Sequence, residues 1–447
     1  MAIPPARVLA ALLRENEYAF WLDPSLRRGG EGRFSAVGVP YAVFRARRGS
    51  ASSRRAEWEF FRLDGARRKK GRGNPWGALR EIFRAEARRH RPAKRSGKIP
   101  FAGGVVGYMG YDLKDFLENF PHVARRDLAL DDCRLLFVRD FHLWDHRTGR
   151  VHPVGEPGAA PSAGPPSLSR KKLDLTMRSA TSKRAYLAAV GRIKRHIARG
   201  DVYQINLTHR LSFRLPAHPL ALYLAMRREN PTPYGTYLAC GETHVASTSP
   251  ERFLRVAGRR ALSEPMKGTA PRGRTRASDA RLRRALGASE KNRAENLMIT
   301  DLVRNDLGRV CRPGSVKVSR LFHVDTYRTL HQMISSVEGT LAPGRDAWDA
   351  LEALFPPGSM TGAPKIRAVS LIEEIEPVKR GVYAGALGWM DFRGHAQWSV
   401  VIRTLVAKNG KGYYHTGGGI VADSEAEDEW RESMLKAEAL RRAAEGK

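Results

Sequence analysis

Residues 385–422 read GALGWMDFRGHAQWSVVIRTLVAKNGKGYYHTGGGIVA. The runs 385–392, 397–408 and 412–422 are rich in β-branched and aromatic residues, the composition of strands. Shorter runs of the same kind occur at 202–213, 235–241 and 244–249. A helix is expected over 182–199, stopped by Gly200. No regular strand–helix–strand alternation links these pieces. The expected fold is therefore α+β, with large antiparallel sheets packed together and helices outside, not a doubly wound sheet.

Toward the N-terminus, YAVFRAR (41–47) and WEFFRLDG (58–65) read as strands joined by a polar turn. CRLLFVRDFHLWDH (133–146) reads as a further strand pair. The four glycines of FAGGVVGYMGYDL (101–113) imply close backbone packing. No Gly-Lys-Ser/Thr ending follows them to hold a phosphate. The proline-rich stretch 155–172 reads as a linker. It divides the chain near residue 165 into an N-terminal region, 1–165, and a catalytic region, 175–447.

Of the 447 residues, 42% are apolar, and 78 basic side chains face 46 acidic ones, a net charge of +32. Such a balance fits nucleic acid, an acidic membrane surface or small anionic substrates. The basic residues are spread along the chain. ARRKKGR (66–72) and RRHRPAKR (88–95) read as solvated surfaces, and no RNP motif, helix-turn-helix or zinc finger accompanies them. Cys133, Cys240 and Cys311 are widely spaced, as in a reducing compartment. The first 16 residues carry too short an apolar core for a leader, and no apolar run approaches the ~18 residues of a membrane span. The expectation is a cytoplasmic protein with neither nucleic acid nor membrane as partner.

Four stretches carry chemistry. In ALSEPMKGTAPRGRT (261–275), Lys267 stands between Pro265 and Gly268, ahead of Arg272 and Arg274, with Arg276 next. It is either a solvated loop lysine or one aimed at a partner. SPERF places Glu251 after a proline. SEKNRAENLMITDLVRNDLGRV (289–310), read as a helix, puts Glu295, Met298, Ile299, Leu302 and Asp306 on one face. ADSEAEDEWRESMLKAEAL (422–440) suggests a capping box between Ser424 and Glu427, then a stripe of Glu425, Glu429, Glu432 and Lys436. That stripe is an ordinary Glu–Lys helix pairing or a carboxylate cluster for a hard cation such as Mg2+. Two glycine segments, FPPGSMTGAPKIRAVSLIEEIE (355–376) with Pro364 in a first helical turn and HTGGGIVADS (415–424), read as anion cradles. Arg403 lies within an apolar strand, so it is paired or awaits a carboxylate. One metal, two cradles, an arginine and a lysine suit a small polycarboxylate.

GDVYQINLTHR, SPERF, EPMKGT, KNRAENLMITDLVRNDLGRV, GSMTGAPKIRA, IRTL and GGGIVADSEAEDEWRESMLKA occur here in the order in which chorismate-utilising enzymes carry them. The resemblance covers residues 180–445, and GRFSAVG and FAGGVVGYMGYDL extend it upstream. It implies the family's sheets-and-helices fold, with chorismate between the sheets. By this resemblance Glu295 and Glu432, with Glu429 beside them, take the places of Mg2+ ligands. Arg403, Gly417, Gly418, Gly419 and Lys436 match substrate contacts, with Gln204 and Thr269 added to them. Glu251 matches the acid/base that protonates the departing 4-hydroxyl.

Branches of the family differ at two positions. Where hydrating members carry a lysine as base, this chain has Gln204, which cannot take a proton. Where anthranilate synthases resemble PIAGT, this chain has Lys267 in PMKGT, similar to the PIKGT of the aminodeoxychorismate synthase branch. The resemblance thus implies an amino-group transferase. It makes 4-amino-4-deoxychorismate for 4-aminobenzoate and folate synthesis, with Lys267 as a covalent nucleophile. Nearby arginines are expected to lower the lysine pKa. The alternatives are an anthranilate synthase component I and, more distantly, a basic nucleic-acid-binding protein. None of the cysteines sits in a nucleophile elbow, so a separate glutamine amidotransferase subunit is expected to supply ammonia. Three positions depart from the family pattern. Gln332 stands where many relatives have a histidine, with His331 before it. Pro357 replaces a usual glycine. FWLDPS matches a tryptophan-binding segment too loosely to imply such a site.

Overall fold

The computed structural model describes residues 3–26, 32–49, 55–90, 99–166, 175–328 and 330–445. Two antiparallel sheets, of 11 and 12 strands, dominate it. The first runs, in spatial order, through Arg178–Ser179, Gln204–Arg214, Lys411–Ile420, Thr404–Lys408, Thr243–Ser249, Tyr234–Cys240, Tyr18–Asp23, Phe34–Gly38, Phe141–Asp145 and Arg150–Val154. The short strand Gly362–Ala363 pairs with Gln204–Arg214. The second runs from Met266–Pro271 through Leu330–Thr340, Arg260–Glu264, Arg252–Ala257, Ala396–Val400, Ala386–Asp391, Gly104–Met109, Cys133–Val138, Ala42–Arg48 and Ala56–Arg62 to Arg68–Gly73, with Lys317–Thr326 paired to Leu330–Thr340 as the twelfth. Each sheet draws strands from both sides of residue 165, and part of the proline-rich stretch, 167–172, lies outside the described residues.

The sheets pack face to face. Phe20, Phe141, Leu238 and Val245 of the first meet Val43, Val106, Tyr108 and Leu387 of the second in one fully buried cluster. Helices Pro5–Glu15, Pro219–Glu229 and Ala426–Glu445 bury their apolar stripes on the outer face of the first sheet. Helices Pro75–Arg89 and Ala347–Leu354 cover the second. The α+β architecture with helices outside is the one expected. The helix Lys183–Ala198 starts at Ser182, whose hydroxyl accepts from Ala185 N–H. No described helix is long and apolar enough to cross a membrane.

Two expectations about strands need correction. Cys133–Val138 and Phe141–Asp145 do not pair with each other but belong to different sheets, the chain crossing at Arg139 and Asp140. Likewise 397–408 is not one strand. Ala396–Val400 lies in the second sheet and Thr404–Lys408 in the first. Composition cannot reveal this, because both halves of each run are apolar and only the partner changes.

Candidate active site

Two crossovers between the sheets lie side by side. One runs from Ser249 to Arg252 through Pro250 and Glu251, the other from Val400 to Thr404 through Arg403. Val400 N–H donates to Glu251 O at 3.1 Å, and the Ser249 hydroxyl donates to Val400 O at 2.6 Å. Arg403, expected within a strand, occupies the crossover instead, with φ 50°. Its carbonyl accepts from Thr248 N–H at 3.1 Å and from the Thr248 hydroxyl at 3.2 Å. Strands that separate here open a cleft, and polar side chains enter it. Glu251 is 4% exposed. Burial pushes its pKa up to about 7, against the opposing pull of Ser359, Lys267, Met266 N–H and Arg403. Arg403 makes no ion pair among the described residues, and burial lowers its pKa.

Lys267 enters from the second sheet. The pairing of Met266–Pro271 with Leu330–Thr340 shifts register between Met266 and Thr269, a bulge centred on Lys267 and Gly268. Gly268 has φ 84°, and Asn292 packs against it so closely that a Cβ would stand 2.8 Å from Asn292 Oδ1. A bulge re-aims a side chain, and here it turns Lys267 inward instead of leaving it in a solvated loop. Burial holds the lysine pKa below its ordinary value. The charge of Lys436 acts in the same direction, while Glu295, Glu251 and Glu432 oppose. The arginines expected to do this do not. Arg272, Arg274 and Arg276 are exposed, and Arg272 is spent on Asp279 at 2.8 Å.

Gln332 and His331 part ways. Gln332 Nε2 donates to Gly268 O at 2.9 Å, and its Oε1 accepts from the exposed Thr269 hydroxyl at 3.1 Å. It therefore braces the Lys267 bulge. His331 faces away, 3.0 Å from Asp279 and 2.9 Å from the Thr326 hydroxyl.

The floor of the cleft is the strand Lys411–Ile420. Gly417, Gly418 and Gly419, expected in a loop, are ladder residues paired with Thr208, Leu207 and Asn206. Asn206 and Thr208 give their N–H groups to Thr361 O and to Glu376. The register therefore turns Gly418 toward its neighbour and points the N–H groups of Gly417 and Gly419 the other way. A Cβ on Gly419 would stand 2.4 Å from Gln204 Nε2 and 3.1 Å from Lys267 Nζ. One on Gly418 would stand 3.0 Å from Glu429 Oε2, 3.8 Å from Lys436 Nζ and 4.0 Å from Glu432 Oε1. Bare backbone is what lets Gln204 and Lys267 close on one face of the strand at Gly419, and Glu429, Glu432 and Lys436 on the other at Gly418. Gln204 is fully buried, and among the described residues neither atom of its carboxamide has a hydrogen-bond partner.

On the helix Ala426–Glu445, Ser424 does not form the expected box with Glu427. Its hydroxyl accepts from Val421 N–H at 3.1 Å and donates to Glu429 at 2.6 Å, while Glu427 pairs with Lys183. Glu425 leaves the stripe for Lys194. Glu432 pairs with Lys436 at 2.8 Å, which lowers its pKa. Burial raises that of Glu429, and the neighbouring Glu432 charge adds to the rise. Glu295, half-buried on the helix Glu290–Gly308, lies within electrostatic reach of Lys267. The buried face of that helix is instead Asn296, Ile299, Thr300, Val303, Asp306 and Leu307. Asp306 is taken by Lys365. Among the described residues no three metal-binding side chains converge on one point. The carboxylate oxygens of Glu429 and Glu432 beside Gly418 nonetheless fit Mg2+, which takes one or two protein carboxylates and completes its shell with water and substrate.

In the other glycine segment, Gly358–Met360 forms a single 3-10 turn, and Pro364 is the N-cap, not a first-turn residue, of the helix Lys365–Ile375. Ser359 is buried there beside Glu251, on whose carboxyl its hydroxyl acts. Two groups escaped the sequence reading: Asn230, on Arg403, and Lys291, whose charge acts on Glu429 and Glu432. Lys291 lies four residues before Glu295, a helical spacing that could have drawn notice. FWLDPS borders a separate cavity of about 390 Å3, lined among others by Leu22, Asp23, Tyr234, Arg255 and Gln397; Glu251, Lys267, Gln204 and Arg403 do not line it.

The sequence profile described as chorismate binding enzyme matches residues 41–442. The chain is 38% identical to anthranilate synthase component 1 of Thermus thermophilus, over 99% of this chain and 95% of that protein. It is 33% identical to aminodeoxychorismate synthase component 1 of Bacillus subtilis, over 93% and 90%. The crystal structure of anthranilate synthase component I from Streptococcus pneumoniae TIGR4 superposes with a TM-score of 0.79 at 27% identity, covering 92% of each chain.

Proposed function

The chain belongs to the family of chorismate-binding enzymes, and we propose that it aminates chorismate to 4-amino-4-deoxychorismate. Relatives of similar identity carry either of two names, so the assignment within the family rests on one observation. A lysine with a depressed pKa, Lys267, lies against Gln204 and Gly419 inside the cleft and within electrostatic reach of Glu251.

The roles follow from the chemistry. Arg403 holds one substrate carboxylate, and the N–H groups of Gly417 and Gly419, with Lys436, hold the other. The neutral Lys267 amine forms a C–N bond to the ring as the C4–O bond breaks. Glu251, with a pKa near neutrality, gives its proton to the departing hydroxyl. Ammonia then adds, its surplus proton returns to Glu251, and the lysine leaves with its electron pair. Gln204 lines the site without a basic atom to activate water. Glu432 and Glu295, with Glu429, would hold Mg2+, which supplies positive charge against a substrate carboxylate. Ammonia comes from a separate glutamine amidotransferase subunit.

The test is incubation of the pure chain with chorismate, Mg2+ and an ammonium salt. Expected is a product retaining the enolpyruvyl group, identified by mass and absorbance, and lost in excess chelator. Fluorescent anthranilate as the product would overturn the assignment.

A further inference from the structure

Arg403, half-buried, differs from the buried arginines. Arg380 pairs with Glu376, and Arg252 with Glu264. The Arg403 guanidinium meets a neutral acceptor instead: its Nη1 donates to Asn230 Oδ1 at 3.3 Å. Asn230 Nδ2 in turn donates to Thr248 O at 3.3 Å, and Thr248 holds the Arg403 carbonyl through its N–H and its hydroxyl. The contacts close a ring that grips Arg403 at both ends. Arginine only donates and a carbonyl only accepts, so the orientation of the Asn230 carboxamide is fixed by its partners.

The backbone does not account for an asparagine at this position. Asn230 ends the helix Pro219–Glu229, where asparagine commonly serves because it tolerates a left-handed conformation. Here φ is −131° and ψ is 76°, so no left-handed conformer has to be accommodated. What remains is the side chain. A carboxamide takes one of the five N–H donors of arginine and leaves its charge intact, whereas a carboxylate would take two and neutralise it.

We propose that Asn230 is a positioning residue that aims Arg403 at a substrate carboxylate without spending its charge. This rests on the reading of Arg403 as a carboxylate contact given above. It adds that the neutrality of position 230 sets substrate affinity.

The test compares steady-state chorismate consumption, a readout independent of the product, in Asn230→Asp, Asn230→Ala, Arg403→Gln and the Asn230→Asp/Arg403→Gln double variant. Expected for Asn230→Asp is a KM raised about tenfold with kcat changed less than about threefold, because its carboxylate competes for the guanidinium. Asn230→Ala, which guards against a folding defect in the first variant, raises KM by about threefold through lost aim. Arg403→Gln raises it more than either. In the Arg403→Gln background, Asn230→Asp adds less than about twofold, since the charge it captures is gone. The proposal is overturned if Arg403→Gln raises KM while both Asn230 variants leave it unchanged. It is equally overturned if Asn230→Asp has the same effect in both backgrounds. An unchanged KM in Arg403→Gln overturns the carboxylate reading itself, and this proposal with it.

Discussion

Two buried polar clusters stand within one fold, and they are built on opposite principles. In the first, Arg380 and Glu376 satisfy each other completely. Arg380 donates to both carboxylate oxygens at 2.7 and 2.8 Å, to Met360 O at 2.6 Å and to Asn206 O at 2.7 Å. Glu376 also accepts from Thr208 N–H and its hydroxyl. In the second, among the described residues Gln204 has no hydrogen-bond partner for either atom and Arg403 has no carboxylate, and Glu251 is pushed toward its neutral form. Buried polar groups are normally paired. A fold that pairs one cluster fully and leaves the next unpaired marks the second as the place where a polar ligand completes the pairing.

The largest effect expected separates function from stability within one residue. Glu251→Gln should cut amination by about 10²–10⁴-fold, because the general acid is gone. The same change should stabilise the protein above neutral pH. The folded carboxyl titrates at about 7 against an ordinary 4.5. Between those values the folded state holds a proton that the unfolded chain has lost, so wild-type stability falls as pH rises across that window. At pH 8 the penalty is complete, on the order of 3 kcal/mol, and glutamine does not carry it. Urea midpoints at pH 8 should therefore favour the variant, and the advantage should vanish near pH 4. A destabilised Glu251→Gln at pH 8 would mean that Glu251 is as well compensated as Glu376.

The complementary change breaks the satisfied cluster. Arg380→Met strands the Glu376 carboxylate, and such losses cost about 3–5 kcal/mol. Urea denaturation measures it, and adding Glu376→Gln should restore part of the loss. An unchanged midpoint would remove the distinction between the two clusters.

Next comes the nucleophile. Lys267→Ala should lose about a hundredfold or more in amination rate while still binding chorismate. Lys267→Arg should not rescue, since a guanidinium stays protonated. Mass spectrometry of the wild-type chain, quenched with chorismate but without ammonia, should show a covalent adduct that Lys267→Ala lacks. Wild-type rates in Lys267→Ala would return this lysine to a substrate contact.

Composition alone carried the reading of strands, helices and their layering, because period and residue type depend on burial, which both sheets supply. What it did not carry was the identity of each strand's neighbour. In QWSVVIRTLVAK no proline or glycine marks the point where the chain changes sheets. Yet that point places Arg403 in the cleft with φ 50°. The side chains named from motifs do gather at two adjacent glycines: Lys267 and Gln204 at Gly419, Glu429, Glu432 and Lys436 at Gly418. Thr269 instead faces outward to Gln332, and Glu425 goes to Lys194. Asn230 went unread because its meaning depends on Thr248 and Arg403, respectively 18 and 173 residues away.

The smallest effect concerns the arginines that follow Lys267 in the chain. Proximity in sequence suggested that they depress its pKa; the fold turns them to solvent. Exposed charges are screened within about 8–10 Å at ordinary ionic strength, whereas burial and the charge of Lys436 act inside the cleft. Acylation of Lys267 by an added reagent needs the neutral amine and no proton from Glu251, so its labelling rate climbs with pH toward the lowered lysine pKa. Arg274→Ala/Arg276→Ala should leave that limb in place and the rate within about twofold of wild type. Lys436→Met should move the limb to higher pH, because removing a neighbouring positive charge raises the lysine pKa. If the arginine variant moved the limb and the Lys436 variant did not, the cleft would not be the isolated, under-paired environment that sets it apart from the Arg380–Glu376 cluster.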